Sequence, residues 1–266
     1  MIFAILFAAL MFSACSKKEN ADISDENIGK SSAKTEAAEP SDGVGRKKKE
    51  TAVSAKNISS DYVICIDPGH GFVDGGCGEG IWADGTLEKD ITLAIAKKLD
   101  EELTSVGFSV IMTHDGTEQS IVGKDDGNQI FNTTERVAYA NTLDIDYFIS
   151  IHVNSYDTNP DISGIRIYYE DDNNWRKVGK ESDLVVQAIA NSIKSEMKPS
   201  VSPVVCDQEV VSYAVVRETL VAASLIEIGF CTNETDAANM VNDEWQSSLA
   251  QAIADGIYTY YSDYKG

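Results

Sequence analysis

From residue 61 onward the chain alternates short apolar runs with longer amphipathic stretches. Residues 62–66 (YVICI) have strand length. Residues 87–105 place Ile91, Ile95, Leu99 and Leu103 at i, i+4 spacing, one face of a helix. Gly107 stops that helix, and residues 108–112 read as the next strand. A polar Gly/Asp-rich loop is expected over 115–132 and a helix over 134–141. Residues 147–151 (YFISI) form a continuously apolar strand, the pattern of a strand covered on both faces. A strand over 164–169, a helix over 182–197, a strand over 222–228 and a closing helix over 242–261 complete the series. Strand and helix in alternation predict an α/β fold, a single three-layer domain with a twisted, mostly parallel sheet between helices.

The first sixty residues follow a different pattern. Residues 1–14 (MIFAILFAALMFSA) are an apolar run too short to span a bilayer securely, and Cys15 follows small residues. Phe-Ser-Ala-Cys resembles a bacterial lipobox, which implies a signal peptide over 1–15 and lipid attachment at Cys15. An ordinary cleaved signal peptide or a buried N-terminal helix fits the same residues. Residues 16–60 lack aromatics and nearly all large aliphatics, so they cannot bury enough apolar area to offset ordering entropy. They read as a disordered tether, with residues 61–266 as the folded domain. The expected location is extracytoplasmic: membrane-anchored through the N-terminal lipid, or secreted if Cys15 is not lipidated.

Charge sharpens this division. The chain carries 22 Lys and Arg against 43 Asp and Glu, a net −21. Residues 16–60 hold nine basic and eight acidic residues, leaving 13 against 35 for the rest, or −22. Such a domain excludes nucleic acid as a partner, because phosphate neutralisation needs clustered Lys and Arg. Besides Cys15 there are Cys65, Cys77, Cys206 and Cys231, without the C-x-x-C spacing of a zinc ribbon. Export permits disulfides, and four cysteines allow three pairings.

In a parallel α/β sheet, ligand sites lie at the carboxyl ends of strands. His70 follows the first strand in DPGHG, His152 the third in FISIHVNS, and Glu227 sits near the end of a later one in SLIEIGF. Glu88 opens the first helix after a glycine-rich loop. Zn²⁺ accepts neutral imidazole and carboxylate, and catalytic sites use three protein ligands. His70, Glu88 and His152 are the candidate metal ligands, 18 and 64 residues apart (88 − 70 and 152 − 88). Glu227 is the candidate catalytic base, since a carboxylate that is not a ligand can carry a proton from water to a leaving amine. Each residue also has a plain structural reading. The histidines fit as hydrogen-bonded core residues, and Glu88 fits as a helix-dipole partner. Glu227, among Leu225, Ile226 and Ile228, would cost several kcal/mol if buried unpaired. Asp67 is expected either to orient a ligand histidine or to cap the following turn. His114, in MTHDG, reads as a surface loop histidine.

The blocks VICIDPGHG, LEKDITLAIAKKL, ERVAYAN, DYFISIHVNS, GIRIYY and VVRETLVAASLIEIGFCTN stand in an order that resembles the zinc-dependent N-acetylmuramoyl-L-alanine amidases of the amidase 3 family. The resemblance implies one Zn²⁺ ion on His70, Glu88 and His152, with Glu227 catalytic. It implies a fold similar to zinc-dependent exopeptidases. It implies hydrolysis of the amide between N-acetylmuramic acid and L-alanine in peptidoglycan. Asn154 and Arg217 become candidates for substrate contact, and a protein activator of unknown kind is a possible partner. The family usually carries Arg where His114 stands, so that loop is expected to differ. Two rivals remain: a zinc peptidase cutting within the peptide stem, and a lipoprotein that binds peptidoglycan without cutting it.

Overall fold

The computed structural model describes residues 62–72, 74–117, 132–170, 178–197, 206–210 and 213–264. The expectations for residues 1–60, including Cys15, and for most of the 115–132 loop lie outside them. The strands are β1 (Val63–Pro68), β2 (Ser109–Met112), β3 (Tyr147–Asn154), β4 (Ile165–Tyr169), β5 (Cys206–Val210) and β6 (Ala222–Phe230). The helices are α1 (Glu88–Ser105), α2 (Thr133–Ala140), α3 (Gly179–Glu196), α4 (Ala214–Arg217), α5 (Glu234–Met240) and α6 (Asp243–Tyr264). No helix among the described residues is long and apolar enough to cross a membrane.

The six strands form one sheet in the order β2-β1-β3-β6-β4-β5. The period-2 alternation of a strand sorts its side chains onto two faces. Ile64, Ile66, Ile149, Ile151, Ile226 and Ile228 face the core built with α1, α3 and α6. Cys65, Phe148, Tyr168, Ala223 and Leu225 face a smaller cluster with Val137 of α2 and Val215 of α4. Three layers result, as the sequence pattern predicts.

One reversal breaks the parallel pattern. β4 pairs antiparallel with β6, and β5 runs parallel to β4, while the other pairings are parallel. The amino end of β4 therefore shares an edge with the carboxyl ends of β1, β3 and β6. β1 and β3 also run further than expected, because neighbouring backbones keep bonding past the apolar run. His152 and Asn154 consequently lie inside β3, paired with Glu227 and Phe230 of β6. The unexpected β5 (CDQEV) is polar and bonded on one side only, so it lacks the apolar signature of an inner strand. The short helices α4 and α5 give too few turns for a periodic signal.

α3 and α6 pack closely enough that a Cβ at Gly256 would strike the backbone of Ile189. Gly→Ala inside a helix ordinarily gains roughly 0.5–1 kcal/mol. Here overpacking against immovable backbone should outweigh that gain. Gly256→Ala is expected to lower stability by about 1–3 kcal/mol in urea denaturation.

Candidate metal centre

The loop from β1 to α1 is pinned to its surroundings. Lys89 Nζ donates to Phe72 O at 2.7 Å, and Thr92 Oγ1 donates to Gly69 O at 2.8 Å. Trp82 Nε1 donates to Ala237 O at 2.9 Å, fixing the far end of the loop on α5. His70 itself has φ of 62°, a left-handed backbone that costs a non-glycine residue of order 1 kcal/mol or more. Two glycines make room for the cluster. A Cβ at Gly69 would meet the His152 ring, and one at Gly76 would meet both His70 and Glu88.

Within that space three side chains converge. Potential ligand atoms of His70, Glu88 and His152 all lie within 4.8 Å of one another. Glu88 Oε1 lies 3.1 Å from His70 Nε2 and 3.1 Å from His152 Nδ1, and accepts from Val153 N–H at 2.8 Å. Glu88 Oε2 accepts from Cys77 N–H at 2.8 Å. The opposite nitrogen of His70, Nδ1, lies 2.9 Å from Asp74 Oδ2 and donates to it. In the neutral ring that leaves Nε2 with a lone pair aimed at a carboxylate oxygen. Two electron-rich atoms in this arrangement need a cation between them, a proton or a metal. A metal fits: a carboxylate orients one imidazole from behind, and two backbone donors hold the carboxylate that would ligate it.

The charges agree with this reading. Burial disfavours charge on His70, but Glu88 and Asp74 outweigh it and raise its pKa to about 9. Burial alone would raise Glu88, but the two histidines hold it well below the usual carboxylate range. Glu227 is the reverse case. Burial, reinforced by the Glu88 charge, pushes it up to about 8. Its Oε2 is sealed from solvent and has no hydrogen-bond partner among the described residues. Such an orphan beside a cation site is suited to meet a substrate, a water or a proton in transit.

The remaining candidates fall elsewhere. Asp67 accepts from Arg136 Nε at 2.6 Å, Ser150 Oγ at 2.7 Å and Thr113 Oγ1 at 2.7 Å. The histidine-orienting part expected of it falls instead to Asp74, a residue the sequence reading passed over. The aspartate four residues after the histidine in HGFVD was its one local signal. Asn154 Oδ1 accepts from Ser155 N–H at 2.8 Å, and its carbonyl accepts from Cys231 N–H. Arg217 closes α4, with its guanidinium 2.7 Å from Glu218 Oε1. His114 corrects an expectation: it is 2% exposed, not a surface residue. Its Nε2 donates to Pro68 O at 2.9 Å and its ring packs 5.8 Å from Phe72, bracing the His70 loop from below. Arg166 carries no local signal of its place at the site. It stands directly across from Glu227 in the β4–β6 register, its guanidinium 5.6 Å from the centre of the Phe230 ring.

Fold and site together define an α/β domain with a histidine–glutamate–histidine cluster competent to hold a metal at the carboxyl edge of its sheet, beside an orphaned carboxylate. Residues 64–259 match the model of the N-acetylmuramoyl-L-alanine amidase family, amidase 3, and the chain belongs to that family. YqiI of Bacillus subtilis is 30% identical over 198 residues, covering 74% of this chain and 84% of YqiI. The N-acetylmuramoyl-L-alanine amidase LytC of Bacillus subtilis is 26% identical; the match covers 80% of this chain but only 38% of LytC. Among solved structures, the N-acetylmuramoyl-L-alanine amidase AmiC2 of Nostoc punctiforme superposes with a TM-score of 0.61 at 28% identity, over 77% of this chain and 99% of that one.

The site predicts its own pH dependence without metal. His70 titrates from about 9 rather than 6.5, so its contribution to stability is complete below 6.5 and is lost as pH rises toward 9. Glu227 binds its proton more tightly folded than unfolded, so the folded state is increasingly penalised between 4.5 and about 8. Both shifts act in one direction. The chelated protein is expected to lose thermal stability as pH rises from 5 to 9. Glu227→Gln should remove part of that slope, stabilising the protein more at pH 8 than at pH 5 in melts followed by circular dichroism.

Proposed function

We propose that this protein is a zinc-dependent hydrolase of peptidoglycan, cutting the amide between the lactyl group of N-acetylmuramic acid and the L-alanine of the stem peptide. The observation that carries the proposal is Glu227 Oε2. It is buried and unpartnered beside a cluster in which two imidazoles converge on one carboxylate oxygen, on the fold of an amidase family. His70 Nε2, a Glu88 oxygen and His152 Nδ1 would hold the ion. Zinc bound there would supply a Lewis acid for the scissile carbonyl and lower the pKa of the attacking water.

This chain's own residues do the rest. Asp74 keeps the His70 proton on Nδ1 and so leaves Nε2 free to ligate. Glu227 accepts the water proton at Oε2 and delivers it to the departing L-alanine nitrogen. Its pKa of about 8 in the cation-free site is drawn down toward neutrality by positive charge at the cluster, where a proton carrier works best. A relative named as a probable cell wall amidase, LytH of Staphylococcus epidermidis, supports action outside the cytoplasm. Lipid attachment at Cys15, with residues 16–60 as a tether, would hold the domain at the membrane within reach of the wall.

Mass spectrometry of products from peptidoglycan of defined stem composition tests the reaction. Intact stems with a free L-alanine amine are expected, lost on chelation and restored by zinc. Glu227→Gln should retain zinc while lowering the rate by roughly 10²–10⁴-fold, the usual worth of a general acid–base. Fragments cut within the stem would instead identify a peptidase. Undiminished turnover in Glu227→Gln would remove Glu227 from the chemistry.

A further inference from the structure

Two cysteines flank the metal centre without belonging to it. Cys77 lies in the glycine-rich loop, half-buried, and its N–H holds Glu88 Oε2. Its Sγ lies 3.8 Å from the carbonyl of Val153. Cys231 is the first residue past β6 and is 4% exposed, and its N–H donates to the carbonyl of Asn154 at 2.8 Å. The two residues thus seat against consecutive peptide units of β3. Both pack in the core on the α1 side of the sheet. The two side chains are in hydrogen-bonding contact with each other. Cys65 is buried on the opposite face, in the cluster with α2. Of the cysteine side chains described, only this pair can meet.

We propose that Cys77 and Cys231 are a disulfide site, and that the bond ties the glycine-rich loop holding Glu88 to the strand bearing Glu227. The reaction is thiol–disulfide exchange with a disulfide RSSR, either a small molecule or an exported thiol oxidoreductase. One cysteine sulfur attacks RSSR and releases RSH. The other then displaces the second RSH from the mixed disulfide, so both thiol protons leave with the two RSH products. The chain gains one S–S bond as RSSR is reduced. The half-buried Cys77 gives the reagent access, and the covered Cys231 completes the closure. An extracytoplasmic compartment supplies such oxidants and preserves the bond. The bond joins residues 154 positions apart (231 − 77), a span over which a crosslink restricts the unfolded chain strongly. Fixing Cys77 also fixes the N–H on Glu88 Oε2, so the oxidised protein should retain metal longer. That last consequence rests on the metal reading above; the bond itself does not.

The full chain is treated with oxidised glutathione, alkylated without reduction, digested and mapped by mass spectrometry. A peptide linking Cys77 to Cys231 is expected, vanishing on reduction, with loss of both residues from the alkylated pool. Cys231→Ser should leave Cys77 as a glutathione adduct, and Cys77→Ser should leave the covered Cys231 a free thiol. Both cysteines recovered as free thiols after oxidation, or either linked elsewhere, would overturn the site. So would protection of both thiols by a second bound zinc. Release of zinc to a chelator should be slower for the oxidised chain, and equal rates would overturn the bracing role. A chain that forms the bond, holds zinc and yields no stem peptides would refute the amidase reading and leave the disulfide standing.

Discussion

The site hangs from one buried charge. Asp67 is fully buried near the end of β1, three residues before His70. Burial would raise its pKa, yet the Arg136 guanidinium, with Ser150 and Thr113, outweighs that and holds its carboxyl below the usual range. Removing one member of such a pair strands the other at a cost of several kcal/mol. Arg136 belongs to α2, Ser150 to β3, and Thr113 follows β2. Three neighbouring elements must therefore be in register before the carboxylate is satisfied. Once they are, the chain leaving β1 has little choice of direction. His70 can then be held in a backbone conformation that it would not adopt in a free loop.

From that anchor the geometry propagates along the edge of the sheet. The β3–β6 register sets His152 opposite Glu227, and the reversed β4 sets Arg166 opposite Glu227 from the other side. α1 begins at Glu88, so the candidate ligand carboxylate is carried at the start of a helix. It meets the histidines because Lys89, Thr92 and Trp82 hold the intervening loop down. The glycines are there for close approach more than for motion: at Gly69 and Gly76 any side chain would occupy the space the cluster needs.

Much of this was legible in the residues. Helix and strand periodicity located the long elements because each buries one face. Glu227 stood out because a carboxylate in an apolar strand requires a reason to be there. His70, Glu88 and His152 were legible as chemistry that parallel topology brings to one edge. Asp74 was not, because a loop aspartate looks the same whether it faces water or a histidine. The partners of Asp67 are not legible locally, since Arg136 lies 69 positions away and nothing in the surrounding sequence announces the pairing. His114 misled for a related reason: its surroundings in sequence are polar, while its surroundings in space are the underside of the His70 loop.

The sequence by itself determined the layer order, the faces that each element buries and the set of residues able to bind a metal. Those follow from local periodicity and side-chain chemistry, which a chain carries wherever it goes. The tertiary structure alone decided the reversal of β4 and β5, the existence of the polar edge strand, the exchange of parts between Asp67 and Asp74 and the meeting of Cys77 with Cys231. Each of these depends on which distant backbones share hydrogen bonds. Register between strands is fixed by the packing of the whole sheet, so no single stretch of sequence records it.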